Sequence, residues 1–229
     1  MHVEIAGRGP PLVMLHGWGL NLRVFDTLVP ALTDQRRVLR VDLPGHGKSP
    51  WEQRAAGLAG HAMLVHDALR AHTTEPCAVL GWSLGGQIAL ELAAVAPDRV
   101  ERLALIATTP RFTASIDWPH GMSTSVLNGF AHRLESDWRA TVSEFLELQV
   151  RGSADGERVL RELRATLLTH GETQPAALAA GLAALATSDV RPRLEAIAQP
   201  ALVIAGQYDR ITPPQGSRAL ADALDARYL

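Results

Sequence analysis

Five short runs of apolar residues punctuate the chain: Leu12 to Leu15, Val38 to Val41, Ala78 to Leu80, Leu103 to Ile106 and Leu202 to Ala205. Apart from Arg40 they are continuously apolar rather than alternating, which is the pattern of strands covered on both faces. Most lead through Gly, Asp or Pro into a longer stretch with helical spacing, of which Gly86 to Val95, stopped by Pro97, is the clearest. This alternation predicts an α/β fold: a mostly parallel sheet with helices on both faces. Ligands in such sheets meet the carboxyl ends of the strands. Between Ile106 and Ala201 the strand pattern stops. Helical spacing takes over, interrupted near Pro110, Pro119, Gly152, Gly171 and Pro175, with a run of good helix formers from Ala176 to Ala186. The pattern predicts a helical cap over 110–190, inserted into a core made of 1–109 and 191–229. A further helix is expected over Gln215 to Leu224, and Arg227-Tyr228-Leu229 reads as the opening of another strand.

Composition narrows the function classes. Apolar residues make up 47 % of the 229 and charged residues 20 %, with a net charge of −2. There is no basic footprint to suggest nucleic acid. No run reaches the length of a membrane span, and Met1-His2-Val3-Glu4 has no features of a secretory leader, so a cytoplasmic protein is expected. The single cysteine, Cys77, cannot form an internal disulfide and reads as a buried strand residue rather than a nucleophile. Neither a cofactor nor a metal is expected.

Chemistry concentrates at Gly81-Trp82-Ser83-Leu84-Gly85, a G-x-S-x-G pattern with a strand before it and a helix after it. A serine on such a sharp turn projects its hydroxyl above the sheet, and the following helix aims its N-terminus at an oxyanion. Ser83 is the candidate nucleophile. A second glycine-rich turn, His16-Gly17-Trp18-Gly19, follows the first strand, so the backbone N–H groups of Trp18 and Leu84 are the candidate oxyanion hole. His16 itself reads as a structural histidine. Asp42, opening Asp42-Leu43-Pro44-Gly45-His46-Gly47-Lys48-Ser49, is expected to order its loop, with a catalytic carboxylate as the alternative. Asp209, after the last strand run, is the candidate acid, with a simple turn-forming role as the alternative. The nine histidines stand at positions 2, 16, 46, 61, 66, 72, 120, 132 and 170, and none follows Asp209 as the Ser–Asp–His order requires. On this reading the chain lacks a C-terminal strand, a histidine loop and a helix. The core is then truncated and the enzyme crippled, with the outer edge of the Leu202 to Ala205 strand unpaired and open to association. When complete, it is expected to be a monomer.

Longer segments carry a resemblance. Leu15-His16-Gly17-Trp18-Gly19-Leu20-Asn21 and Val41-Asp42-Leu43-Pro44-Gly45 lie in the core; Asp117-Trp118-Pro119, Leu127-Asn128-Gly129-Phe130, and Thr141-Val142 with Phe145-Leu146-Glu147-Leu148-Gln149 lie in the cap. With the Gly-Trp-Ser-Leu-Gly-Gly elbow, they resemble the pimeloyl-acyl carrier protein methyl ester esterases of biotin synthesis, which have the α/β-hydrolase fold. The resemblance implies hydrolysis of a methyl ester carried on acyl carrier protein, and of short-chain carboxylesters, by a serine mechanism. It also implies that Trp18, Ser83, Leu84 and the five residues Phe145, Leu146, Glu147, Leu148 and Gln149 contact substrate. Spacing alone puts Trp138, Val142, Phe145 and Gln149 on one helical stripe. Arg151, Arg158, Arg161 and Arg164 are candidates for a basic docking face, opposed by Glu157 and Glu162, with Glu157–Arg161 at i,i+4 spacing. Two other readings stay open: a general short-chain esterase or lactonase, and a non-catalytic binder built on the same fold.

Overall fold

A computed structural model describes residues 1–229, the side chain of Leu168 excepted. In chain order the elements are β1 (Val3–Ala6), β2 (Pro11–Leu15), α1 (Val29–Leu32), β3 (Arg37–Val41), α2 (Leu58–His72), β4 (Cys77–Trp82), α3 (Leu84–Val95) and β5 (Val100–Ile106). Then come α4 (Thr124–Ser136), α5 (Trp138–Val150), α6 (Gly156–His170), α7 (Pro175–Thr187), β6 (Ala201–Ile204), α8 (Pro214–Ala223) and β7 (Arg227–Tyr228). They build one sheet in the order β1-β3-β2-β4-β5-β6-β7. Every pairing is parallel except β1 with β3.

The apolar runs are continuous because the sheet is covered on both faces. Val13, Leu15, Leu39, Val41 and Val79 share a core with Leu58, Ala62 and Val65 of α2 and with Ile88, Ala89 and Leu92 of α3. The alternate residues Met14 and Val38 pack on the opposite face against Phe25, flanked by Val29 and Leu32 of α1. Arg40, the one charge inside these runs, is buried and pairs with Asp26 and with Glu4 Oε2 at 3.0 Å, so its position costs little unpaired charge.

Two expectations need correction. Strand β1 did not stand out in the pattern, since a short, half-exposed antiparallel edge strand carries little apolar signal. The outer edge of β6 is also not bare. Leu202 and Val203 pair with Arg227 and Tyr228, and Ala205 N–H donates to Leu229 O at 3.0 Å.

The four helices α4 to α7 lie between β5 and β6 in the chain. Where this segment leaves and rejoins the sheet, Val190 N–H donates to Pro110 O at 2.8 Å and Arg111 bridges Asp189. Two polar contacts seat its far side. His170 Nε2 meets Asp42 Oδ2 at 2.8 Å, both side chains buried, and Asn21 Nδ2 donates to Thr166 O at 3.3 Å. No helix of the structure is long and apolar enough to cross a membrane.

Candidate active site

Ser83 sits between β4 and α3 with φ 54° and ψ −114°, a backbone state rarely populated by a residue with a side chain. Strain of this kind persists only where surrounding structure over-determines it. Here Ser83 N–H donates to Ile106 O at 2.9 Å, and Ser83 O accepts from Gly86 and Gln87 N–H at the first turn of α3. The glycines are required by close approach. A Cβ on Gly81 would fall onto the Gly85 carbonyl, and one on Gly85 onto the Leu15 carbonyl.

The turn after β2 lies beside the serine. A Cβ built on Gly17 would stand 3.6 Å from the Ser83 Cβ. The backbone N–H groups of Trp18 and Leu84 have no hydrogen-bond partner among the described residues. The Trp18 ring is held rigidly. Its Nε1 donates to Leu178 O at 2.8 Å, and its edge meets Phe145 with centroids 4.9 Å apart.

Ser83 and Asp209 line one cavity of about 210 Å³. Its polar groups include Ser83, Asp209, Gln149 and Thr212, and its apolar wall includes Trp18, Leu20, Ile106, Phe145, Val159 and Leu163. The Asp209 carboxylate accepts from Ile211 N–H, Thr212 N–H and the Thr212 hydroxyl, at 2.8, 2.9 and 2.7 Å. Asp209 therefore has the turn geometry of the plainer reading and also shares the cavity of the serine.

The histidines are occupied elsewhere. None borders this cavity among the described residues. His16 is buried; its Nε2 accepts from Leu43 N–H at 2.9 Å, which leaves Nδ1 as the donor to Gly17 O at 2.8 Å. Burial holds His16 well below the usual imidazole range and brings His46 down to about 4. His120 meets Trp118 edge to face, His132 is exposed, and His170 is the partner of Asp42. Asp42 also accepts from Leu22 and Lys48 N–H, at 2.9 Å each, in keeping with an ordering role.

Several expected substrate contacts lie elsewhere. Of the segment 145–149, only Phe145 and Gln149 reach the Ser83 cavity. Leu146 lines a second cavity of about 460 Å³ with Gly19, Trp138 and Val142. Glu147 is exposed and pairs with Arg164 at 2.5 Å, while Leu148 borders neither cavity. Successive helical residues turn by about 100°, so residues four apart share a face and the ones between do not. The same geometry divides the four-residue stripe, sending Trp138 and Val142 to the second cavity. The Leu84 side chain is fully buried and outside the cavity lining.

Of the arginines, Arg158 pairs with Asp155 and Glu162, and Arg164 with Glu147. The Glu157–Arg161 pair does not form, and Arg151 and Arg161 stay exposed. Val159, Leu163, Ile211 and Thr212 also line the cavity and are not among the residues that the sequence singles out. The i,i+4 spacing of Val159 and Leu163 marks an apolar face on α6 without saying what that face covers.

Comparison with known proteins gives a consistent placement. The profile of the family described as "alpha/beta hydrolase fold" matches residues 10–229. The pimeloyl-[acyl-carrier protein] methyl ester esterase of Nitrosomonas europaea is 45 % identical over 93 % of this chain and 82 % of that protein. Among solved structures, an esterase from Exiguobacterium antarcticum superposes with TM-score 0.91 at 23 % identity, covering 100 % of this chain and 85 % of the other. The enol-lactonase from Burkholderia xenovorans superposes with TM-score 0.87 at 28 % identity, covering 100 % and 86 %.

Proposed function

The chain belongs to the alpha/beta hydrolase fold family, among the pimeloyl-acyl carrier protein methyl ester esterases, and on that premise we propose the chemistry of its site. It is a carboxylic ester hydrolase in which Ser83 is the nucleophile, Asp209 the acid of the triad, and the N–H groups of Trp18 and Leu84 the oxyanion hole. One observation carries the reading: a strained serine at a strand-to-helix turn opens, with a hydrogen-bonded carboxylate, into a single small apolar cavity.

The steps follow from that geometry. Ser83 Oγ adds to the ester carbonyl as a base removes its proton, and the carbonyl oxygen, now negative, is received by the two unpartnered N–H groups. Each such donor contributes about 10²–10³ in rate. Collapse expels the alcohol, protonated by the same base, and leaves an acyl-serine that water hydrolyses to the free acid. Asp209 orients the base and stabilises its protonated form. That base is the histidine which the family's Ser–Asp–His order places after Asp209.

The substrate follows from the cavity. At about 210 Å³ it lies below the roughly 300 Å³ lower bound of drug-sized pockets, so it suits a short acyl chain with a small alcohol. Residues 110–190 act as the cap that walls it. The relatives' name points to the methyl ester of a pimeloyl chain on acyl carrier protein; we further propose that this partner is acidic and that the reaction takes place in the cytoplasm. Arg151 and Arg161, exposed near the cavity-lining part of α6, are the cations available to meet it.

The deciding experiment compares turnover of the carrier-bound pimeloyl methyl ester with that of p-nitrophenyl acetate, using the histidine-bearing enzyme. A kcat/KM preference for the carrier-bound ester of at least about tenfold is expected. Equal turnover would mark a general short-chain esterase, and no turnover of any ester would mark a binder.

A second variant probes the wall. Phe145→Ala is expected to weaken a pimeloyl ester relative to an acetate by about 1–3 kcal/mol, seen as a selective rise in KM. Equal losses on both esters with a lowered Tm would mean that Phe145, only 4 % exposed, is simply core.

A further inference from the structure

The carboxylate of Asp209 is held by two kinds of donor. Its Oδ1 accepts the backbone N–H groups of Ile211 and Thr212, an arrangement any residue at 212 but proline would supply. Its Oδ2 accepts the Thr212 hydroxyl at 2.7 Å, which needs a hydroxyl at that position. Thr212 is 3 % exposed and borders the same cavity as Ser83. Its conformation is preset twice. A β-branched side chain has few χ1 choices, and Pro213 behind it holds the backbone extended.

The lone pairs can be counted. A carboxylate oxygen accepts about two hydrogen bonds. Both sites on Oδ1 are taken by the backbone, whereas Oδ2 has Thr212 on one and keeps the other. Among the described residues, the acceptor position left for a base is therefore on Oδ2, beside the threonine hydroxyl.

We propose that Thr212 is a positioning residue for the triad acid: its hydroxyl fixes the rotation of the Asp209 carboxylate, presents Oδ2 to the base, and draws charge from that oxygen. This rests on reading Asp209 as the acid. Two consequences follow. Without the hydroxyl the carboxylate rocks about its remaining backbone bonds, and the imidazole it steers is less often aligned with Ser83. The same loss leaves more negative charge on Oδ2, which favours the protonated base, so a higher pH is needed to free it.

The test uses Thr212→Val, Thr212→Ser and Asp209→Asn in the histidine-bearing enzyme, with pH–rate profiles on a short-chain methyl ester and thermal unfolding alongside. Valine keeps the shape and removes the donor; serine keeps the donor. Thr212→Val is expected to lower kcat about tenfold with KM changed less than about twofold. It is also expected to move the acid limb of the profile upward by about half a pH unit. Thr212→Ser should restore both. Asp209→Asn should cost more than about a thousandfold. If Asp209→Asn is that damaging while Thr212→Val leaves the limb in place, Thr212 only braces the turn and the proposal fails. A lowered Tm with no rescue by serine has the same meaning. If Asp209→Asn is near parental, the acid has been misassigned, and Thr212 loses its role with it.

Discussion

Replacing Ser83 by alanine is expected to lower kcat in the histidine-bearing enzyme by about 10⁴- to 10⁶-fold, on every ester it hydrolyses. The expectation is this large because nucleophile, base and acid act as a unit, and removing one idles the others. What remains is the modest acceleration from the oxyanion hole and binding. Alanine retains the Cβ and the strained backbone at φ 54°, so the fold and the cavity should survive. Unfolding temperature and the affinity for a non-hydrolysed acyl analogue therefore serve as controls. Activity within about tenfold of the parent would remove Ser83 from the mechanism. The 229-residue chain should itself turn over p-nitrophenyl esters only feebly, since no histidine borders Ser83 among the described residues.

The second large effect is on stability. His16, His46 and His61 are all buried, and burial lowers the proton affinity of each, bringing His46 from 6.5 to about 4. In the unfolded chain the same rings take up protons near 6.5. The unfolded state thus binds more protons below that pH, and stability is complete above about 6.5 and falls as the solution is acidified towards 4. His46 alone accounts for roughly 3 kcal/mol by pH 4, a large share of the margin of an ordinary domain. Urea unfolding at pH 7.5, 6.5 and 6 checks it; this window lies well above the range where ordinary carboxylates titrate. A free energy that stays flat across it would mean that these rings are solvated. His46→Asn, neutral throughout, should make the slope shallower.

Much of this protein was legible from local pattern. The continuous apolar runs became the five central strands because a sheet covered on both faces has no polar side to record. The elbow was legible because a turn that tight tolerates only glycine at 81 and 85, where any Cβ meets a carbonyl. Less could be read about the substrate wall. Within the segment 145–149 helical spacing marks Phe145 and Gln149, but an amphipathic helix shows its stripe without naming what each part faces, and Trp138 and Val142 of the same stripe line the second cavity.

The sequence by itself determined the order of β and α units, the place of Ser83 between β4 and α3, and that of Asp209 after β6. These follow from short-range causes: side-chain periodicity, glycine at close approaches, and the few turns that join a strand to a helix. Only the tertiary structure decided that Ser83 and Asp209, 126 positions apart, share one cavity. Packing likewise turned Val159 and Leu163 of α6 toward that cavity, set Asp42 against His170, and split the α5 stripe between two cavities. The reason is that burial rewards any apolar face equally. Which faces meet is settled by how helices α4 to α7 seat together on the sheet, and no window of sequence contains that arrangement.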